Sequence, residues 1–186
     1  VYNAASQKAG HGPKGVVFAS AVVAAQNYMK EVSANGKAGA LTRTRRAAFD
    51  PIVYSSLREV LGGRAKWIVA GGAPLDPELL AFFRGAGVPV YEGYGLTETT
   101  APCAFSPLGT PLGIAFPGFS LRIAEDGEIQ VKGRAVFPRY HKNDEATELS
   151  FTEDGWYVTG DLGRIDNDGF LYITGRKKDL IITAGG

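Results

Sequence analysis

The 186 residues carry 20 Lys and Arg against 19 Asp and Glu, a formal net charge of +1, with 45% hydrophobic and 21% charged residues. That balance can bury a core, which excludes a disordered chain, and it offers no field suited to nucleic acid or an anionic membrane. One cysteine, Cys103, excludes an intrachain disulfide and fits a reducing, cytoplasmic setting.

In chain order, VVFASAVVAA (16–25), preceded by Lys8 and Lys14, imitates a secretion signal. It is shorter than the roughly 20 apolar residues a bilayer needs. It also runs on into QNYMKEV, which predicts a helix from Val16 to about Ala34, stopped by Asn35-Gly36. The Gly/Ala/Arg/Thr stretch that follows predicts a loop, with Arg43, Arg45 and Arg46 on a solvated face. DPIVYSSLREVLGG (50–63) predicts a helix with Asp50 as N-cap, Pro51 at the first position and Gly62-Gly63 at its end. Its apolar face would be Ile52, Val53, Leu57, Val60 and Leu61. Trp67 to Ala70 predicts a short buried strand. Asp76-Pro77 opens a further helix that ends at Gly85 and Gly87, and Val88 to Tyr91 predicts a second strand. Strand, helix, strand at this spacing is a βαβ unit, so its two strands should run parallel.

The second half changes character. Pro102, Pro107, Pro111 and Pro117, with Gly109, Gly113 and Gly118, mark a boundary. Beyond it, LRIAEDGEIQV (121–131) predicts a hairpin bent at Asp126-Gly127. Asp154-Gly155 and Asp168-Gly169 precede two more strands, WYVTGD and FLYITG. The fold class is therefore α/β: a parallel βαβ portion followed by a small antiparallel β subdomain, closed as a barrel or folded as a sheet. The corresponding division is residues 1–106, 107–174 and 175–186.

Ligands of open α/β sheets bind at the carboxyl ends of strands. Two segments leave those ends here, GGAPL (71–75) and EGYGLTETT (92–100). Gly93 and Gly95 let backbone approach a ligand. Tyr94 offers an aromatic face, Thr97, Thr99 and Thr100 offer hydroxyls to phosphate, and Glu98 offers a hard oxygen to Mg²⁺. A polar turn with a surface glutamate carries the same pattern. No GxxxxGK[ST] loop is present. Asp161, at the end of WYVTGD, could accept bonds from a ribose diol or merely cap a turn. Arg176 could fork onto a sugar or phosphate, or belong to a solvated basic run. Cys103 has no histidine near in sequence and reads as a small buried residue.

YEGYGLTETT, WYVTGD and GRKKD occur in that order, and together they resemble the adenylate-forming superfamily of acyl-CoA synthetases, luciferase and peptide-synthetase adenylation domains. DPIVYSSLREVLGGRAKWIVAGGAPL (50–75), GEIQVKG (127–133) and RYHKNDEAT (139–147) look like bacterial long-chain fatty-acid–CoA ligases. The resemblance runs from about Ala47 to Gly186, and residues 1–46 match only weakly, as a helical segment. It implies that Tyr94 stacks on adenine with Gly95 beside it, that Thr97 meets the α-phosphate and that Glu98 holds Mg²⁺. It implies that Asp161 binds ribose hydroxyls with help from Arg176, and that Gly72 and Ala73 line the acyl and adenine pockets. Lys178 matches the hinge before a small C-terminal domain. ATP, Mg²⁺ and coenzyme A are the implied cofactor and co-substrates, and a fatty acid is the implied substrate. Peripheral membrane contact stays open. GHGPKG (10–15) shares the ending of the family's phosphate loop but lacks its hydroxyls and a preceding strand. That departure, the opening Val1 and the closing Gly185-Gly186 read as an internal piece without ligase activity of its own. A non-catalytic nucleotide-binding module, or a relative using an aryl or shorter-chain acid, fits the same motifs.

Overall fold

The computed structural model describes residues 2–10, 12–73, 75–106 and 113–179. Their order is α1 (Tyr2–Ala9), α2 (Pro13–Asn35), α3 (Ala40–Ala48), a π-helical turn (Asp50–Tyr54) running into α4 (Ser55–Val60), β1 (Ile68–Gly71), α5 (Pro77–Gly85), β2 (Val90–Leu96), a 3-10 turn (Thr97–Thr99), β3 (Ala101–Phe105), β4 (Ile114–Ala115), β5 (Phe119–Ile123), β6 (Glu128–Gly133), α6 (Asp144–Leu149), β7 (Tyr157–Ile165), β8 (Leu171–Arg176) and a second 3-10 turn (Lys177–Asp179). One sheet runs β1-β2-β3-β4 and mixes parallel with antiparallel pairing; the other, β5-β6-β7-β8, is antiparallel throughout. By their contacts, residues 1–70 with 74–91 form one compact unit and 71–73 with 92–186 a second. The division falls earlier than the change of composition at Pro107. His11, Pro107, Gly109, Pro111, Gly185 and Gly186 lie outside the described residues, while Pro102 stands inside β3.

The first unit is helical because small residues let two helices meet. α2 buries Phe18, Ala21, Ala24 and Ala25, a stripe at helical spacing. A Cβ on Gly85 of α5 would lie 2.3 Å from the Ala25 carbonyl oxygen, so the contact demands glycine. Phe82 is fully buried against Phe18 and Tyr2. The Tyr54 hydroxyl donates to the Ala21 carbonyl at 2.6 Å. Gly36, at φ 71°, ends α2 as the Asn35-Gly36 pair predicts.

Five expectations in this unit are corrected. The stretch read as a loop contains α3, whose start is tied to α2: Glu31 accepts from Gly39 N at 2.8 Å and from Thr42 Oγ1 at 2.6 Å. Arg46 is not on a solvated face; it donates to the Gly85 carbonyl at 2.6 Å and lies over the Tyr28 and Tyr54 rings. Asp50 caps nothing, because Phe49 before it already has helical dihedrals. Its carboxylate instead accepts two bonds from Arg58, at 2.7 and 3.0 Å, and Arg58 donates again to Ala86 O. Two guanidiniums thus satisfy the last carbonyls of α5, where a helix lacks its own donors. The proposed apolar face splits, with Val53 and Leu57 buried but Ile52 and Val60 exposed. Similarly, β1 forms but alternates rather than being buried throughout, leaving Trp67 and Val69 exposed. The α5 start matches its sequence: Asp76 Oδ1 accepts from Leu79 N at 2.9 Å and Pro77 follows.

In the second unit the Asp-Gly turns do what they predict. Gly127, Gly155 and Gly169 all have φ near +80° and each precedes a strand. The core is Tyr94, Cys103, Ala104, Ile129, Val131 and Leu171. α6 was not foreseen. Asn143 Oδ1 caps it through Ala146 N at 3.0 Å. No helix among the described residues is long and apolar enough to cross a membrane.

Candidate nucleotide site

EGYGLTETT is not a loop. Its first half is strand: β2 continues to Leu96 and pairs with β3, with a bulge between Tyr94 and Gly95. A bulge turns the side chains locally and is often found beside binding sites. Gly71 is what lets β1 approach this strand closely, since a Cβ on it would lie 2.9 Å from Gly93 O. Gly72, at φ 87°, and Ala73 are exposed and belong to the same compact unit as residues 92–100.

Tyr94 is buried, 9% exposed, and its hydroxyl donates to Asp161 Oδ2 at 2.8 Å. Asp161, 4% exposed, sits on β7 opposite Arg176 of β8, whose Nε donates to Oδ1 at 2.7 Å. Each carboxylate oxygen therefore holds one protein donor and keeps further lone-pair capacity. Burial pushes the Tyr94 phenol well above its ordinary range, and the bond to Asp161 adds to this, so the hydroxyl remains a donor. The Asp161 carboxylate raises Arg176 in turn. Beneath this clasp, Thr159 Oγ1 donates to Ile129 O and accepts from Asp161 N. Cys103 is fully buried; burial pushes its thiol up to about 11, which agrees with a structural rather than nucleophilic cysteine.

After the bulge comes the 3-10 turn. Thr97 is exposed and Glu98 is half-buried. Thr99 is fully buried, its hydroxyl bonded to the Leu96 backbone, and Thr100 donates to Ala135 O at 2.8 Å. The last two hydroxyls hold the turn rather than offering themselves to phosphate. Glu98 Oε1 accepts from Tyr140 at 2.8 Å, and Glu98 O accepts from Phe137 N at 2.8 Å. Among the described residues no three acidic, histidine or cysteine side chains converge as a metal site.

Sequence reasoning missed the cluster beside the clasp. Lys177 reaches Asp126 at 2.6 Å and Glu128 at 2.8 Å, while Glu128 Oε1 accepts from Gly160 N at 2.7 Å, one residue before Asp161. Asp126, then Glu128, raise the Lys177 ammonium. Lys178 is exposed on the closing 3-10 turn. Tyr140 was missed too, having no signal beyond its place in RYHKNDEAT.

The AMP-binding enzyme family matches residues 13–141. The chain belongs to that family. Within it, long-chain-fatty-acid–CoA ligase FadD15 of Mycobacterium bovis and of Mycobacterium tuberculosis is 50% identical over 191 residues, 100% of this chain and 31% of the relative. O-succinylbenzoate coenzyme A synthetase from Bacillus subtilis, solved in complex with ATP and magnesium ion, superposes with a TM-score of 0.59 at 34% identity, over 70% of this chain and 32% of that protein. The chain thus spans about a third of the length of the curated relatives it matches. Its mixed α/β architecture agrees with that of the solved structure it superposes on.

Proposed function

We propose that these residues form part of the adenylating machinery of a long-chain fatty-acid–CoA ligase. The reaction is attack of a fatty carboxylate oxygen on the α-phosphorus of ATP with loss of pyrophosphate, then attack of the coenzyme A thiol on the acyl carbon with loss of AMP. The observation that carries the reading is the Tyr94–Asp161–Arg176 clasp beside the Thr97-Glu98 turn. A buried, doubly held carboxylate is suited to accept two sugar hydroxyls. Tyr94 and Gly95 would border the base, and Gly72 and Ala73 would line the base and acyl sides. Thr97 would donate to the α-phosphate. Glu98 fits a Mg²⁺ site in which the protein supplies one carboxylate and phosphate oxygens supply much of the rest, an arrangement that ion commonly uses. The metal would neutralise charge developing on phosphate oxygens. Lys178 would be the hinge, with residues 175–186 leading into a further domain. Fatty acid, ATP and coenzyme A are the expected partners; nucleic acid is not.

The test is pyrophosphate release by a chain of the relatives' full length carrying these residues, with acids of graded length. Glu98→Ala should lower turnover by at least about 100-fold, as loss of a key charge-stabilising group does. Release peaking with long acids, and lost in the variant, supports the proposal. Release only with aryl or short acids discards the substrate, and no release with any acid favours a non-catalytic nucleotide-binding module.

A further inference from the structure

Glu98 is held by a segment to which sequence reasoning gave no role at the site. The segment grips it twice, with the Tyr140 hydroxyl donating to Oε1 and the Phe137 N–H donating to the backbone carbonyl, each at 2.8 Å. Tyr140 is itself braced. Its N–H donates to Thr147 Oγ1 at 3.0 Å, and that hydroxyl donates to Asn143 O at 2.8 Å at the capped start of α6. Its ring meets Phe137 edge-on at 4.7 Å, and Phe137 packs in turn on Tyr157 at 5.6 Å. The short helix α6 therefore acts as a strut behind a single hydroxyl.

We propose that Tyr140 is a positioning residue for Glu98, fixing the rotation of its carboxylate so that Oε2 and the remaining lone pair of Oε1 face a divalent cation. The proposal rests on the reading of Glu98 as a Mg²⁺ carboxylate. An unbraced glutamate spreads over many rotamers and must be ordered when the ion binds. A hydrogen-bond donor on one oxygen removes that cost in advance and fixes the direction of the other. The donor is a neutral phenol, so it adds no positive charge to compete with the cation.

Tyr140→Phe is the decisive variant, because it keeps the ring contacts and the backbone bond to Thr147 and removes only the hydroxyl. The measurement is calorimetric binding of ATP to the full-length protein across a Mg²⁺ titration, with EDTA as the metal-free arm. The Mg²⁺ concentration for half-maximal binding should rise about tenfold, the lower end of what loss of a ligand's hydrogen-bond partner costs in metal affinity. Binding in EDTA should be unchanged. In a Glu98→Gln background, Tyr140→Phe should add nothing. An unchanged Mg²⁺ dependence in Tyr140→Phe, with Glu98→Gln shifted, overturns the positioning role and leaves the metal role standing. A full additional shift in the Glu98→Gln background overturns it too, since Tyr140 would then act elsewhere. Wild-type Mg²⁺ dependence in Glu98→Gln removes the metal role of Glu98 and the proposal with it.

Discussion

Replacing Tyr94 by Phe keeps the buried ring and deletes one donor from a buried carboxylate. The lost bond is short, 2.8 Å, and its acceptor residue is 4% exposed, so water replaces it poorly. A hydrogen bond to a charged group contributes about 1.5–3 kcal/mol, and among the described residues Asp161 keeps Arg176 Nε as its side-chain donor. The expected cost in stability is about 2 kcal/mol. A double-mutant cycle with Asp161→Ala isolates the pair, because with the carboxylate gone the Tyr94 hydroxyl loses that acceptor and keeps its contact with Thr159. The coupling should then be about 1.5 kcal/mol or more. Urea unfolding followed by Trp156 fluorescence reads it out, since Trp156 sits under the Arg122 guanidinium at 4.4 Å in the same unit, whereas Trp67 is already exposed. On the proposed reading, ATP binding should weaken in parallel, because Asp161 loses one of its two side-chain restraints. Costs that simply add, to within about 0.5 kcal/mol, would refute the claim that the hydroxyl acts through Asp161.

Two further predictions concern the core. Gly85→Ala should destabilise by about 1–3 kcal/mol, since its Cβ would overlap Ala25 backbone and α2 would have to move; a urea transition followed by circular dichroism that shifts by less than about 0.5 kcal/mol would sink this. Alkaline pH should destabilise the fold. Burial raises Cys103 from 9.0 to about 11 and Tyr54 from 10.0 to about 12. The folded state therefore binds more protons than the unfolded one between these values, and stability present below pH 9 is lost as pH rises through 11 and 12. Urea midpoints at pH 8 and pH 10.5 should differ accordingly, and equal midpoints would contradict it.

Features set by neighbouring residues were readable in the sequence. Asp76 caps through Leu79 three residues on, and Asp126-Gly127 bends its own hairpin. Features set at a distance were not. α3 begins where it does because Glu31, eight and eleven residues earlier, accepts from Gly39 and Thr42. Asp50 looks like a cap beside Pro51, but Arg58 claims its carboxylate while the chain before it is already helical. In the candidate site the sequence singled out Tyr94, Glu98, Asp161 and Arg176, but not their pairings. The hydroxyl–carboxylate contacts of Tyr94 with Asp161 and Tyr140 with Glu98 span 67 and 42 positions.

The largest misreading bears on how the site would work. The sequence predicts a strand ending at Tyr91, with EGYGLTETT leaving its carboxyl end. β2 instead carries Tyr94 and Gly95 within a paired strand, the Thr99 hydroxyl bonds the turn's own backbone, and the Thr100 hydroxyl ties the turn to Ala135 O. Ladder bonds on one side and the Phe137 and Tyr140 grips on the other leave Glu98 few ways to move. Donors and carboxylates fixed before a ligand arrives need little reorganisation when charge develops, which is the physical advantage of a preorganised site. The closing 3-10 turn beyond β8 carries Lys177, tied to Asp126 and Glu128, and beside it exposed Lys178.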